Sequence, residues 1–347
     1  MNENLLICTD DSAFPQNFIS GYEKNGITPF VGTKNFFLDC GAAAYTHFFW
    51  PEEMCDWSLP SRSQISRLSS MLERRSESSK IIQSVNNLRP HESGDNQIWK
   101  ELYQLFYRHA AVIHHFSRIS KEIVCREFPD TQSANHVIHT GIDYTKIQEF
   151  RTVSREAARK RFGLKDDECV FLIFGAIRSM QELELIRSAW KRSQAKNKKL
   201  LFAGRLNLRQ ASKLKMKVAQ KTLRAALWEL KAYNHSEFIP ESEVPEIFDA
   251  ADATIVLRQN SLSSGIPCLA MTLGKYVIVP RLNAMEEYVE GTENGLYSPG
   301  SAEDLAGAID LATKTNLKAI GMKNITHSKQ WNWQMGALKV LNAAKNT

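Results

Sequence analysis

Short apolar runs recur along this chain, separated by polar and amphipathic stretches. In the first half, residues 4–9, 30–31, 45–50, 80–85, 111–116 and 136–139 read as strands, and residues 15–25, 61–77, 97–108 and 117–128 as helices. Gly26 stands where the first helix should stop, the place where a left-handed cap favours glycine. In the third helix Trp99, Leu102, Leu105 and Phe106 recur at helical spacing. The second half repeats the pattern. Strands are expected at 169–176, 198–205, 236–240, 253–258 and 275–280, and helices at 181–196, 208–234, 244–250, 302–312, from the loop after 258 through Leu273, and over the tail 330–345. Alternating strands and helices predict parallel sheets covered on both faces, the α/β doubly wound class.

At about 150 residues per domain, 347 residues make two domains. We expect a first domain over 1–150, a polar linker over 151–166, a second domain over 167–325 and a final helical segment over 326–347. Two such domains would face a central cleft, and ligands of open α/β sheets sit at the carboxyl ends of strands.

Composition narrows the class. Hydrophobic residues at 43% and charged residues at 24% exclude a wholly disordered chain and a collagen-like repeat. No apolar run reaches the roughly 18–20 residues of a membrane helix. The opening MNENLLICTDDSAF has no basic segment and does not read as a secretory signal. Six scattered cysteines without a CxxC pair suit reduced thiols, so a cytoplasmic location is expected. The net charge of +6 suits an anionic ligand, a phospholipid surface or nucleic acid without choosing among them.

Four strand-end segments carry candidate chemistry. FGAIRSMQ (174–181) ends a strand in Gly175, which lets backbone approach a ligand, and sets Arg178 to meet an anion. FAGR (202–205) ends its neighbour in Gly-Arg, so Arg205 could converge on a diphosphate or pair with a local carboxylate. QNSLSSGIPCLAMTLGK (259–275) opens a helix with Ser263, Ser264 and Gly265, an anion site of backbone N–H groups and helix dipole, or simply a well-capped helix. NNLRPHES (86–93) holds His91, the best general-base candidate and also readable as a bystander, with Asn86, Asn87 and Arg89 able to bind hydroxyls. His47, His114 and His115 read as structural or as site residues. No HExxH, His/Cys cluster, DxD triplet, P-loop or GxGxxG is present, so neither a metal nor a dinucleotide cofactor is expected. The basic stretch 212–231 suits a helix packed on its own domain, or one touching membrane or nucleic acid.

In order along the chain, FFWPEE, VNNLRPHE, FGAIR, LLFAGR, FIPESEVPEIFDAADATIVLR, SSG…LAMTLGKYVIVPRLNAMEEYV and the terminal WNW resemble the motifs of GT-B glycosyltransferases, family-4-type bacterial enzymes in particular. The resemblance implies a nucleotide-diphosphate sugar bound mainly by the second domain. Arg178 would meet the diphosphate with Gly175 and Arg205 nearby, Ser263, Ser264 and Gly265 would cradle phosphate, and Glu287 would lie near the nucleotide or sugar. The acceptor, a glycan or lipid-linked hydroxyl, would lie against the first domain near Asp11, His47, Asn87 and Arg89, with His91 as base. The last helix would cross back to the first domain. Transfer would be metal-independent, use no cofactor besides the donor, and serve polysaccharide or glycolipid synthesis, with peripheral contact to the inner membrane face. Two other readings keep the fold: a non-catalytic partner subunit, and an enzyme glycosylating modified DNA. The family's E-x7-E pair is replaced by Ser261 and Leu269, its lysine after FGAIR by the Met180–Glu182 region, and its first loop histidine by Asn86.

Overall fold

The apolar runs assemble into two parallel sheets. The structure is a computed structural model and describes residues 3–10, 16–38, 43–90, 96–151, 153–208, 213–230, 232–235 and 239–347. By its own contacts the chain divides into two units, one of residues 1–143 and 331–347 and one of residues 144–330.

In the first unit the strands are β1 (Glu3–Cys8), β2 (Ile27–Val31), β3 (Tyr45–Phe48), β4 (Lys80–Val85), β5 (Val112–His115) and β6 (His136–Ile138). They lie in the order β2-β1-β3-β4-β5-β6, all parallel. The connecting helices are α1 (Gln16–Glu23), α2 (Thr33–Phe37), α3 (Arg62–Ser78), α4 (Gln97–His109) and α5 (Arg118–Glu127). Ser61 and Gln64 form a reciprocal capping box that starts α3. The Asn96 side chain caps α4, whose Trp99, Leu102, Leu105 and Phe106 enter the core beside Leu6, Phe48 and Ile81.

The second unit holds β7 (Cys169–Ile177), β8 (Lys198–Leu206), β9 (Tyr233–His235), β10 (Ala253–Ile255), β11 (Tyr276–Pro280) and β12 (Gly295–Tyr297). Their order is β12-β11-β10-β7-β8-β9, again parallel. Its helices are α6 (Arg155–Arg161), α7 (Met180–Arg192), α8 (Lys213–Glu229), α9 (Val244–Ala250), α10 (Gly265–Thr272), α11 (Ala284–Tyr288), α12 (Ala302–Ala312) and α13 (Leu317–Ser328). The chain then rejoins the first unit as α14 (Trp333–Lys345), which packs on α1, β4, β5 and β6. Phe171, Leu200, Phe202 and Ile278 centre a core shared with Ile186, Leu223 and Ile309 of the covering helices.

Two sequence expectations shift. The segment 151–166 is not a free linker but part of the second unit. Arg151 forks Asp249 at 2.8 and 2.6 Å, and the buried Arg159 donates to Asp252 at 2.6 Å and to the Lys165 carbonyl at 2.6 Å. Its polar composition reflects ion pairing with α9 and the turn after it, not solvation. The strand expected at 236–240 lies instead at Tyr233–His235, where β9 adds to β8; residues 236–238 fall outside the described residues.

Candidate functional site

In the second unit β10, β7 and β8 are parallel neighbours, so the loops that follow them leave from the same sheet edge. Gly175 and Gly204 stand opposite each other in the β7–β8 register, and Ala176 stands opposite Arg205. Both glycines have positive φ, +85° and +159°. A Cβ on Gly204 would lie 1.8 Å from the Gly175 carbonyl oxygen, a backbone collision with nowhere to go. Glycine is therefore required here by close backbone approach. A Cβ on Gly175 would touch the Ile266 side chain at 3.7 Å, which places the first turn of α10 against the end of β7.

Below this edge lies a buried ion pair. Arg258, just after β10, donates through Nη1 to both carboxylate oxygens of Glu182 at 2.9 and 3.0 Å, and through Nη2 to the Ala176 carbonyl at 3.0 Å. Glu182 also accepts the Arg178 backbone N–H at 2.8 Å, while Ser179 caps α7 by accepting the Glu182 N–H at 3.1 Å. The turn carrying Arg178 is thus held at its start by Arg258 and at its end by Glu182. Arg178 is half-buried and Arg205 exposed, so both guanidinium-bearing residues can be reached from solvent.

The loop into α10 is fixed with comparable care. Ser261 Oγ donates to the Ser263 carbonyl at 2.5 Å, Asn283 Nδ2 to the Ser261 carbonyl at 2.9 Å, and the Ala284 N–H to the Leu262 carbonyl at 3.2 Å. Ser264 is the N-cap. A Cβ on Gly265 would lie 2.1 Å from the Tyr144 hydroxyl, so the tyrosine occupies the space a side chain would take. Gly175, Arg178, Arg205 and the segment Ser263–Gly265 therefore come from adjoining loops on one sheet edge. Glu287 lies half-buried on α11, which follows the neighbouring strand β11.

In the first unit, Asp11 and His91 lie outside the described residues. Asn87 is half-buried and Arg89 exposed on the loop after β4; Asn86 is buried and donates to the Phe49 carbonyl at 3.2 Å. His47 is fully buried, and both its ring nitrogens are occupied, by the Tyr22 hydroxyl at 2.9 Å and Ser84 Oγ at 2.7 Å. Ser84 continues the chain to His114 Nδ1 at 2.7 Å. Burial pushes the His47 imidazole down to about 3. It stays neutral and holds β3, β4 and α1 together. His115 is also buried, joined to Ser120 and His136 at 3.1 and 2.8 Å.

Two groups had no clear signal in the sequence. The Arg258–Glu182 pair joins residues 76 positions apart, and no local pattern marks it. In FFWPEE, the buried Glu53 accepts from Thr9 Oγ1 at 3.1 Å and the Asp10 N–H at 2.7 Å, while the Asp10 carboxylate accepts from Thr33 N–H and Oγ1 at 3.0 and 2.6 Å. A carboxylate that follows proline in an apolar run is the one visible hint of that role.

Residues 154–326 match the family described as glycosyl transferases group 1. YtcC of Bacillus subtilis (strain 168), designated a glycosyltransferase, is 24% identical over 258 residues, covering 70% of this chain and 60% of that protein. The chain thus spans about 60% of that relative's length. Among solved structures, the sucrose-phosphate synthase of Thermosynechococcus elongatus superposes with a TM-score of 0.74 at 13% identity, over 100% of this chain and 99% of that one. Anabaena HepE in complex with UDP and glucose gives a TM-score of 0.65 at 12% identity, over 99% and 98%. A glycosyltransferase of Rickettsia africae gives 0.67 at 10%, over 99% and 96%. These likenesses show the GT-B fold, and through residues 154–326 the chain belongs to the group 1 glycosyl transferases.

Proposed function

We propose that this chain transfers a sugar from a nucleotide-diphosphate sugar to a hydroxyl of a glycan or lipid-linked acceptor. The observation that carries the reading is the sheet edge at the end of β7, where the Gly175 backbone, without a side chain, lies beside the first turn of α10. Such an edge admits a phosphate close to backbone N–H groups and the positive end of a helix. The HepE complexes contain UDP, with glucose or as UDP-glucose, which supports a uridine nucleotide as the first donor to try.

Transfer breaks the bond between the anomeric carbon and the diphosphate oxygen and forms one to the acceptor oxygen, which loses its proton. Negative charge grows on the departing diphosphate, and fixed positive groups aimed at it supply the largest stabilisation. Arg178, the N–H groups at 263–265 and, further along the edge, Arg205 would do this. Glu287 would contact the nucleotide or sugar. His91 is the proposed base for an acceptor hydroxyl, with Asp11, Asn87 and Arg89 as acceptor contacts. His47, sealed inside the first unit, would act by holding that unit's strand ends in place rather than by touching the acceptor.

A second reading, a donor-binding subunit without transfer, rests on the E-x7-E positions. Ser261 turns its hydroxyl into its own loop and Leu269 is buried, so neither offers a carboxylate. The test is thermal stability with UDP, GDP, ADP and their sugar conjugates. A ligand bound only by the folded chain raises Tm, by about 2.7 kcal/mol of stabilisation at a hundredfold excess over Kd. We expect a shift with one nucleotide that is lost in Arg178→Ala. No shift with any nucleotide would overturn the donor reading. A shift without sugar release or transfer would favour the non-catalytic subunit.

A further inference from the structure

Helix α8 carries an apolar stripe on the wrong side. Its core face is Ala219, Leu223, Ala226 and Leu227, all buried. On the opposite face, Leu214, Val218, Lys221, Ala225 and Trp228 succeed one another at helical spacing. Leu214 is 73% exposed, Val218 57% and Trp228 84%. One exposed apolar side chain is ordinary, but three aligned on one solvent face mark a contact surface. Met180 of α7, also exposed, extends the patch beside Trp228 along a groove of about 470 Å³ between the two helices.

Charge identifies the occupant. Lys221 sits within the stripe, Lys217 and Arg224 flank it on one side and Lys215 on the other, all exposed. The acidic residue at the end of the helix, Glu229, is neutralised by Arg187 at 2.6 Å and by Lys191. A nucleic acid would engage the cations through phosphate but give Leu214 and Val218 nothing to bury against. A second copy paired face to face would oppose like charges. An anionic bilayer satisfies both sets, with apolar side chains at the acyl boundary, tryptophan at the interface and lysine stems reaching the phosphates.

We propose that α8 is an interfacial helix that docks the second unit on an anionic phospholipid surface, with Leu214, Val218 and Trp228 inserted and Lys217, Lys221 and Arg224 facing lipid phosphate. This does not depend on the donor reading. The full chain would be sedimented with vesicles of phosphatidylcholine alone and of phosphatidylcholine with phosphatidylglycerol. It should pellet with the anionic vesicles and lose that binding as salt rises. Leu214→Ser, Val218→Ser and Trp228→Ser together should lower the bound fraction at least about tenfold, as should Lys217→Glu, Lys221→Glu and Arg224→Glu together. Every changed position is on the solvent face, and an unchanged thermal melt verifies that both variants are folded. Absence of wild-type binding to anionic vesicles would overturn the proposal, as would full binding by the folded apolar variant. A charge-dependent, apolar-independent binding to duplex DNA in place of vesicles would assign the face to nucleic acid instead. Self-association without vesicles, abolished by the apolar variant, would assign it to a second copy.

Discussion

Glu182 and Arg258 show how one buried pair can set the geometry of an exposed turn. Each is nearly solvent-free, and together they satisfy the Ala176 carbonyl and the Arg178 N–H. Taking two charges out of water is costly, so a buried pair adds little net stability, but breaking it strands one charge in the interior. Arg258→Ala should therefore lower unfolding free energy by about 3–5 kcal/mol. The double variant Arg258→Met with Glu182→Leu should recover much of that loss, because no unpaired charge remains. Urea unfolding of the single and double variants checks this; an additive double variant would show that the pair is not coupled. If the pair orients Arg178, the stable double variant should still bind nucleotide less tightly than the wild type. The pair was not legible in the sequence, where Arg258 closes a strand and Glu182 opens a helix with nothing to link them. For His47 the sequence leaves a structural and a site role open, and the difference lies in contacts no local pattern marks: Tyr22 and Ser84 fill both its nitrogens.

At the scale of elements, the strands were the most legible part. Parallel strands buried on both faces read as nearly unbroken apolar runs, as in β7 and β11. The short α2 and β12, and the weakly amphipathic twelve-residue α13, carry too little periodicity to be seen, and 151–166 reads as a polar linker because its arginines pair with carboxylates about 90 positions away. Strands β3, β4 and β5 share a property invisible in their pattern: neutral histidines buried where they meet. Burial holds His47 and His115 down to about 3, and burial, then the neighbouring His47, holds His114 well below its usual value. All three lie below the value of about 6.5 for an unfolded histidine, so between these limits the unfolded chain binds more protons. The contribution of each is fully present above about pH 6.5 and is lost as pH falls, for His47 and His115 toward about 3. His47 and His115 each add a slope of about 1.4 kcal/mol per pH unit over that window. Thermal melts from pH 7.5 downward should show a steep fall in Tm below about 6.5, and His115→Gln should make it shallower. A Tm that stays flat to pH 5 would contradict the burial of these rings.

At the scale of the whole molecule, the chain leaves its first unit at residue 143 and re-enters it at 331. The returning segment is structural, not an appendage. Trp331, Trp333, Val340 and Leu341 are all buried. The Trp333 ring lies 4.2 Å from Phe18 and 4.9 Å from His114, and the Trp333 backbone N–H donates to the Asp143 carboxylate at 2.9 Å. A Cβ on Gly21 would fall 2.3 Å from Trp333, and one on Gly141 2.3 Å from Trp331, so two glycines give up their side chains to let the tryptophans in. At about 1.5–3 kcal/mol for each large apolar side chain buried, these four residues contribute about 6–12 kcal/mol. Before the entropy cost of ordering the segment, that is of the same order as the net stability of an ordinary domain, about 5–15 kcal/mol. Deleting residues 331–347 should therefore unfold the first unit. Hydrogen exchange provides the readout: amides of β1 and β3–β6 should lose protection, while those of β7, β8, β10 and β11 keep it. Retained protection in β4 and β5 would mean that the sheet closes its core without α14, and that the return of the chain serves some purpose other than stability.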